Sequence, residues 1–215
     1  CRSRSAPAGS SPAITCTRRQ PPASMYLATV SRPSSNSRSR PGSEAMPRSP
    51  YLLEFANRQR AVRVSQAALR KAATTVLADE RVAWAEVSIA LVADAEMQAL
   101  NKAYLGHDYP TDVVSFLLDS EASWSGPVRR PRRRGDGVRL EGEIILGAEY
   151  ARAEADALGW DVESELCLYL VHGLLHLCGY DDLVPAEKRV MRRREREVFA
   201  LLGREARYRR GPRRG

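Results

Sequence analysis

Two of the chain's three histidines, His172 and His176, stand four residues apart in HGLLHLCGYDD (172–182), which continues through Gly179 to Asp181 and Asp182. On a helix, positions i and i+4 share one face, so this spacing can present two imidazoles to a single ion. The spacing alone does not separate a metal site from a core helix with two hydrogen-bonded histidines. The residues after the pair strengthen the metal reading. Gly179 is suited to ending the helix in the left-handed conformation, which would turn the chain back and bring Asp181 or Asp182 to the open end of the histidine face. Two neutral imidazoles and one carboxylate, with a fourth position left to water, make a catalytic zinc set. The residue after the first histidine is Gly173, where H-E-x-x-H zinc peptidases need a glutamate as general base, which argues against a peptidase.

The elements that must carry this stretch are read from changes of period. YLLEFAN (51–57) and AEVSIALV (85–92) read as strands, with VSQAALRKAATTVL (64–77) a helix between them. DAEMQALNKAY (94–104) reads as a short helix with Asp94 as N-cap. DVVSFLLD (112–119) and RLEGEIILG (139–147) read as further strands, separated by a Gly-, Pro- and Arg-rich loop at 120–137. Three helices complete the chain, at 148–158, 162–178 and 185–202, the last opened by Pro185. Mixed elements early and helices late imply an α+β fold, a small sheet with helices packed on it and the histidines near the end of a helix in the C-terminal half.

At 215 residues and 43% hydrophobic, the chain can build one sizeable core. Its longest apolar runs fall far short of a membrane span. Cys1, Cys16, Cys167 and Cys178 form no C-x-x-C pair, which fits a reducing cytoplasmic setting, with Cys167 and Cys178 as packing residues. The net charge of +8 comes from three arginine-rich stretches, at 1–45, 129–134 and 204–214, around an acidic body. Residues 1–45 are rich in Ser, Arg and Pro and are expected to be disordered or a spurious extension. The domain is expected over 46–203, with 204–215 a basic tail.

Three ordered blocks carry a family resemblance. HGLLHLCGYDD resembles H-G-x-L-H-L-x-G-Y-D-H of the YbeY family, the zinc-dependent endoribonucleases and ribosomal RNA maturation factors of bacteria. LNKAYLGHDYPTDVVSF (100–116) is similar to that family's L-N-x-x-Y-R-x-x-D-x-P-T-D-V-L-S-F, and GEIILG (142–147) to its G-D-I strand; Met191 with Glu197 fits its last helix. The resemblance spans roughly 50–202 and implies a mixed sheet, one Zn2+ per chain at the mouth of a cleft, and His172, His176 and Asp182 as ligands. His172 and His176 are then also the catalytic positions. Asp182 replaces the family's usual histidine, and Leu105 replaces its loop arginine, a cation expected to neutralise transition-state charge. The plainer reading of Asp182 is a cap for the helix opening near Pro185, with no metal.

The implied activity is single-strand-specific cleavage of RNA in ribosomal RNA maturation and ribosome quality control, with ribosomal RNA and the small ribosomal subunit as partners, and neither membrane nor DNA. Two alternatives are a non-catalytic zinc-containing assembly factor and a metal-dependent hydrolase of small amides or esters. Thr111 and Asp112 form the turn that opens a strand and by resemblance border the cleft. His107 is expected to be exposed. Since an acidic body and Leu105 offer an RNA phosphate nothing, Arg129, Arg130, Arg132, Arg133 and Arg134, in the loop between two cleft-bordering strands, are the expected substrate-binding cations. The competing view of that loop is a solvated insertion.

Overall fold

A computed structural model describes residues 16–17, 49–122 and 133–209. Its elements are β1 (Cys16–Thr17), β2 (Tyr51–Asn57), α1 (Gln66–Asp79), β3 (Trp84–Val92), α2 (Asp94–Leu105), β4 (Val113–Ala122), β5 (Val138–Gly147), α3 (Ala148–Leu158), α4 (Val162–Leu177) and α5 (Pro185–Leu201). The sheet runs β1-β4-β5-β3-β2. β3 pairs in parallel with β2 and β5, β4 is antiparallel to β5, and the two-residue β1 lies parallel to β4. This is the expected α+β fold with a mixed sheet. Of residues 1–45, only that two-residue strand is among the described residues.

α4 is the centre of the molecule. Every residue from Ser164 to Leu177 is buried, so the helix has no solvent face and must be covered all round. It packs against α1, α3, α5, β4 and β5. A Cβ at Gly173 would come within 3.3 Å of Ile144 and 3.4 Å of Val113, so glycine there lets the helix press on the sheet between the two histidines. The glutamate of the peptidase motif has no room at this position. Among the described residues no helix is long and apolar enough to cross a membrane.

Two local expectations are corrected. Ala93, not Asp94, is the N-cap of α2. The Asp94 carboxylate instead accepts from Tyr150 N at 3.1 Å in the first turn of α3, while Glu149 accepts from Asp94 N at 2.8 Å. The cause is register: Val92 lies opposite Gly147, so both helices start side by side and each supplies the other's cap. Nor does Asp182 cap α5, whose N-cap is Val184 without a side-chain bond and whose first turn holds Pro185. β4 also runs three residues past its expected end, to Ala122.

Candidate metal centre

His172 and His176 project from the last two turns of α4, at 2% and 5% exposure. Gly179, at φ +90°, reverses the chain, and Asp182 returns to the imidazoles at 6% exposure. The neighbouring Asp181 shapes the turn instead: its Oδ1 accepts from Asp182 N at 2.6 Å and Leu183 N at 3.0 Å. The candidate ligand atoms of His172, His176 and Asp182 all lie within 4.8 Å of one another.

The hydrogen bonds behind the imidazoles determine what they offer. His172 Nδ1 donates to Glu195 Oε1 at 2.6 Å, and His176 Nδ1 donates to the Tyr180 carbonyl at 2.9 Å. Both acceptors lack a proton to give, so both rings carry their proton on Nδ1. Burial, then His172, push the His176 pKa down to about 4, which keeps that ring neutral. The two Nε2 atoms approach each other to 2.8 Å. Asp182 Oδ1 is buried, lacks a hydrogen-bond partner and lies 3.8 Å from His176 Nε2. Two converging imidazole nitrogens and an orphaned buried carboxylate oxygen make a donor set that fits a divalent metal.

A cavity of about 140 Å³ opens beside the cluster, lined by the acids Asp112, Glu165, Asp182 and Glu195 with His172, and by the cations Lys188, Arg192, Arg207 and Arg209. Asp112 is positioned by its own turn, where its Oδ1 accepts from Val113 N and Thr111 Oγ1, both at 2.9 Å. Burial raises its pKa. Thr111 is itself buried. His107 is exposed and stacks on Tyr109, with ring centroids 5.3 Å apart. Cys167 and Cys178 are buried free thiols.

Arg129, Arg130 and Arg132 lie outside the described residues. Arg133 pairs with Asp79 at 3.0 Å and Glu197 at 3.2 Å. Arg134 pairs with Glu187 at 2.5 Å, donates to the Gly179 carbonyl at 3.0 Å and covers the Tyr180 ring at 4.7 Å. Both face α1 or α5 and line no part of the cavity; Arg134 braces the turn that delivers Asp182.

Glu195 is absent from the sequence-based set, although α5 carries a signal for it. Met191, Arg194, Glu195, Val198 and Phe199 make one buried stripe, and an arginine–glutamate pair inside an apolar stripe demands buried partners. Arg194 finds a buried one in Glu80 at 2.7 Å and further partners nearer the surface in Asp79 and Glu197, and Glu195 finds His172.

Fold and site together define a class: an α+β protein with a His–His–Asp candidate metal centre at the mouth of a cavity, the arrangement of a metal-dependent hydrolase. The profile of the family described as Endoribonuclease YbeY matches residues 54–203. Proteins named Endoribonuclease YbeY from Desulfitobacterium hafniense (strain Y51), Geobacter metallireducens and Roseiflexus sp. (strain RS-1) are 44%, 35% and 40% identical to this chain over 119, 154 and 143 residues. These alignments span 55%, 70% and 65% of this chain and 73%, 95% and 85% of the respective relatives. The chain belongs to the endoribonuclease YbeY family.

Proposed function

We propose that this protein is a metal-dependent endoribonuclease that binds one Zn2+ through His172, His176 and Asp182 and cleaves single-stranded RNA during ribosomal RNA maturation, acting in the cytoplasm on ribosomal RNA and the small ribosomal subunit. The observation that carries the metal is the convergence of the two Nε2 atoms beside the orphaned Asp182 Oδ1; membership of the family supports RNA as substrate. A zinc ion held there would supply a Lewis acid for a phosphoryl oxygen and lower the pKa of a bound water. The chain's own groups do the rest. Glu195 and the Tyr180 carbonyl hold the imidazoles in the ligating tautomer. Lys188 and Arg192, which line the cavity, neutralise an entering phosphodiester, a task that Leu105 cannot perform. Among the loop arginines, Arg129, Arg130 and Arg132 remain the substrate-binding positions assigned to RNA.

Native mass spectrometry with and without chelator tests the site. One zinc per chain is expected in the wild type, none in Asp182→Ala, retention in Asp182→His, and a smaller loss in Asp181→Ala because Asp181 only shapes the turn. Full occupancy of Asp182→Ala would remove Asp182 from the ligand set. Cleavage of single-stranded RNA by the loaded protein, abolished by chelation, tests the activity. Zinc binding without cleavage would favour the assembly-factor alternative, for which Leu105 in place of the family's arginine speaks.

A further inference from the structure

The cavity beside His172 is closed on one side by the residues beyond the end of α5. Arg204 pairs with Glu163 at 2.7 Å and donates to Ser164 Oγ at 2.7 Å. Arg207 donates to the Gly159 carbonyl at 2.8 Å, at the negative end of α3. Arg209 pairs with Glu154 at 2.8 Å. Three arginines thus fasten a strap along α3 and the start of α4. The sequence places this stretch in a basic tail outside the domain, yet Arg207, Tyr208 and Arg209 line the same cavity as His172, Asp182 and Glu195.

Between the fastened arginines Tyr208 turns inward. Its hydroxyl is buried without a well-formed hydrogen bond, and the Arg192 guanidinium lies 3.9 Å above its ring. Burial, then the adjacent Glu195 carboxylate, push the phenol's pKa up. A buried carboxylate has about four lone-pair sites to satisfy. Glu195 Oε1 has His172, and Oε2 has Arg192 at 3.4 Å. The Tyr208 hydroxyl is a donor in want of an acceptor beside an acceptor in want of a donor.

We propose that Tyr208 is a positioning residue of the metal centre: its hydroxyl, donated to Glu195, fixes the carboxylate that orients His172, which makes the C-terminal strap part of the site. This rests on the reading of His172, His176 and Asp182 as metal ligands. Without the hydroxyl, the Glu195 carboxylate is free to rotate toward Arg192, and the imidazole loses the partner that holds its tautomer and plane.

The test uses the full chain, with zinc affinity measured by competition against a chromophoric chelator at a temperature where melting curves show every variant folded. Tyr208→Phe keeps the ring over Arg192 and removes only the oxygen. It is expected to weaken zinc binding about 10-fold, as losses behind a metal ligand do, and to shift the visible absorption of the Co2+-loaded protein. Tyr208→Ala is expected to weaken binding at least as much, but the Phe variant decides, since it preserves the packing. A Phe variant with wild-type zinc affinity and an unchanged cobalt spectrum would overturn the role. A wild type that binds no zinc would overturn the metal centre itself, an outcome visible before any variant is compared.

Discussion

At the scale of single residues, the candidate centre is made by the groups behind the ligands as much as by the ligands. His172 and His176 would be ordinary buried histidines if either Nδ1 lacked an acceptor, because the proton could then move to Nε2 and let one ring donate to the other. Glu195 and the Tyr180 carbonyl instead hold a proton on each Nδ1. A second buried acid on the same helix face, Glu165, is seven residues before His172 and accepts from Trp160 Nε1 at 2.6 Å. Burial first, opposed by Tyr169 and Trp160 and aided by Glu154 and Asp112, pushes its pKa up to about 7. Unfolded, it ionises in the usual carboxylate range. Between that range and the raised value the folded state therefore binds more protons, so its contribution to stability is present below the unfolded pKa and lost as pH rises through the folded one. Glu165→Gln should raise the melting temperature more at about pH 8 than at about pH 5; equal gains at both would show that the carboxyl is not protonated in the fold.

At the scale of elements, α5 is the scaffold of the site. Its buried stripe sends Glu195 to His172 on one side and Arg194 to Glu80 on the other. Glu80 is fully buried and also accepts from the Tyr180 hydroxyl at 3.1 Å. One ion-pair network thereby ties the end of α1, the turn at 133–137, α5 and the loop whose carbonyl orients His176. Removing one partner of a buried pair leaves the other charge uncompensated. Arg194→Ala should cost about 3–5 kcal/mol of unfolding free energy in urea titrations. Arg194→Met combined with Glu80→Gln should recover part of it; a double variant no better than the single would mean that packing, not charge, is responsible.

At the scale of the whole molecule, charge is segregated. The net +8 resides in arginine-rich stretches, while the cavity lining brings together acids that suit a cation and cations that suit a phosphate. Arg133 and Arg134 are occupied by Asp79, Glu197 and Glu187, which divides the loop arginines into two groups with different expected effects. Changing Arg129, Arg130 and Arg132 to Ser should weaken single-stranded RNA binding and flatten its salt dependence by about 0.7 in log–log slope for each phosphate no longer neutralised, at unchanged stability. Changing Arg133 and Arg134 should lower the melting temperature and leave that slope in place. Reversed outcomes would place the RNA-binding surface on the α1–α5 side.

The sequence by itself determined the elements and the histidine pair of the candidate centre, because helical spacing puts His172 and His176 on one face, Gly179 supplies the turn, and period changes mark the strands from β2 to β5. It also determined that no peptidase glutamate stands after the first histidine. Tertiary structure decided everything that depends on residues distant in the chain. It chose Asp182 over Asp181 as the inward carboxylate, since the Asp181 side chain is spent on the turn. It made Asp94 cap α3 rather than its own helix, because strand register sets the two helix starts side by side. And it brought Glu195 to the back of His172 and Tyr208 into the same cavity: local patterns encode which face of an element is buried, whereas the partner that meets a buried polar group is fixed only when the elements pack.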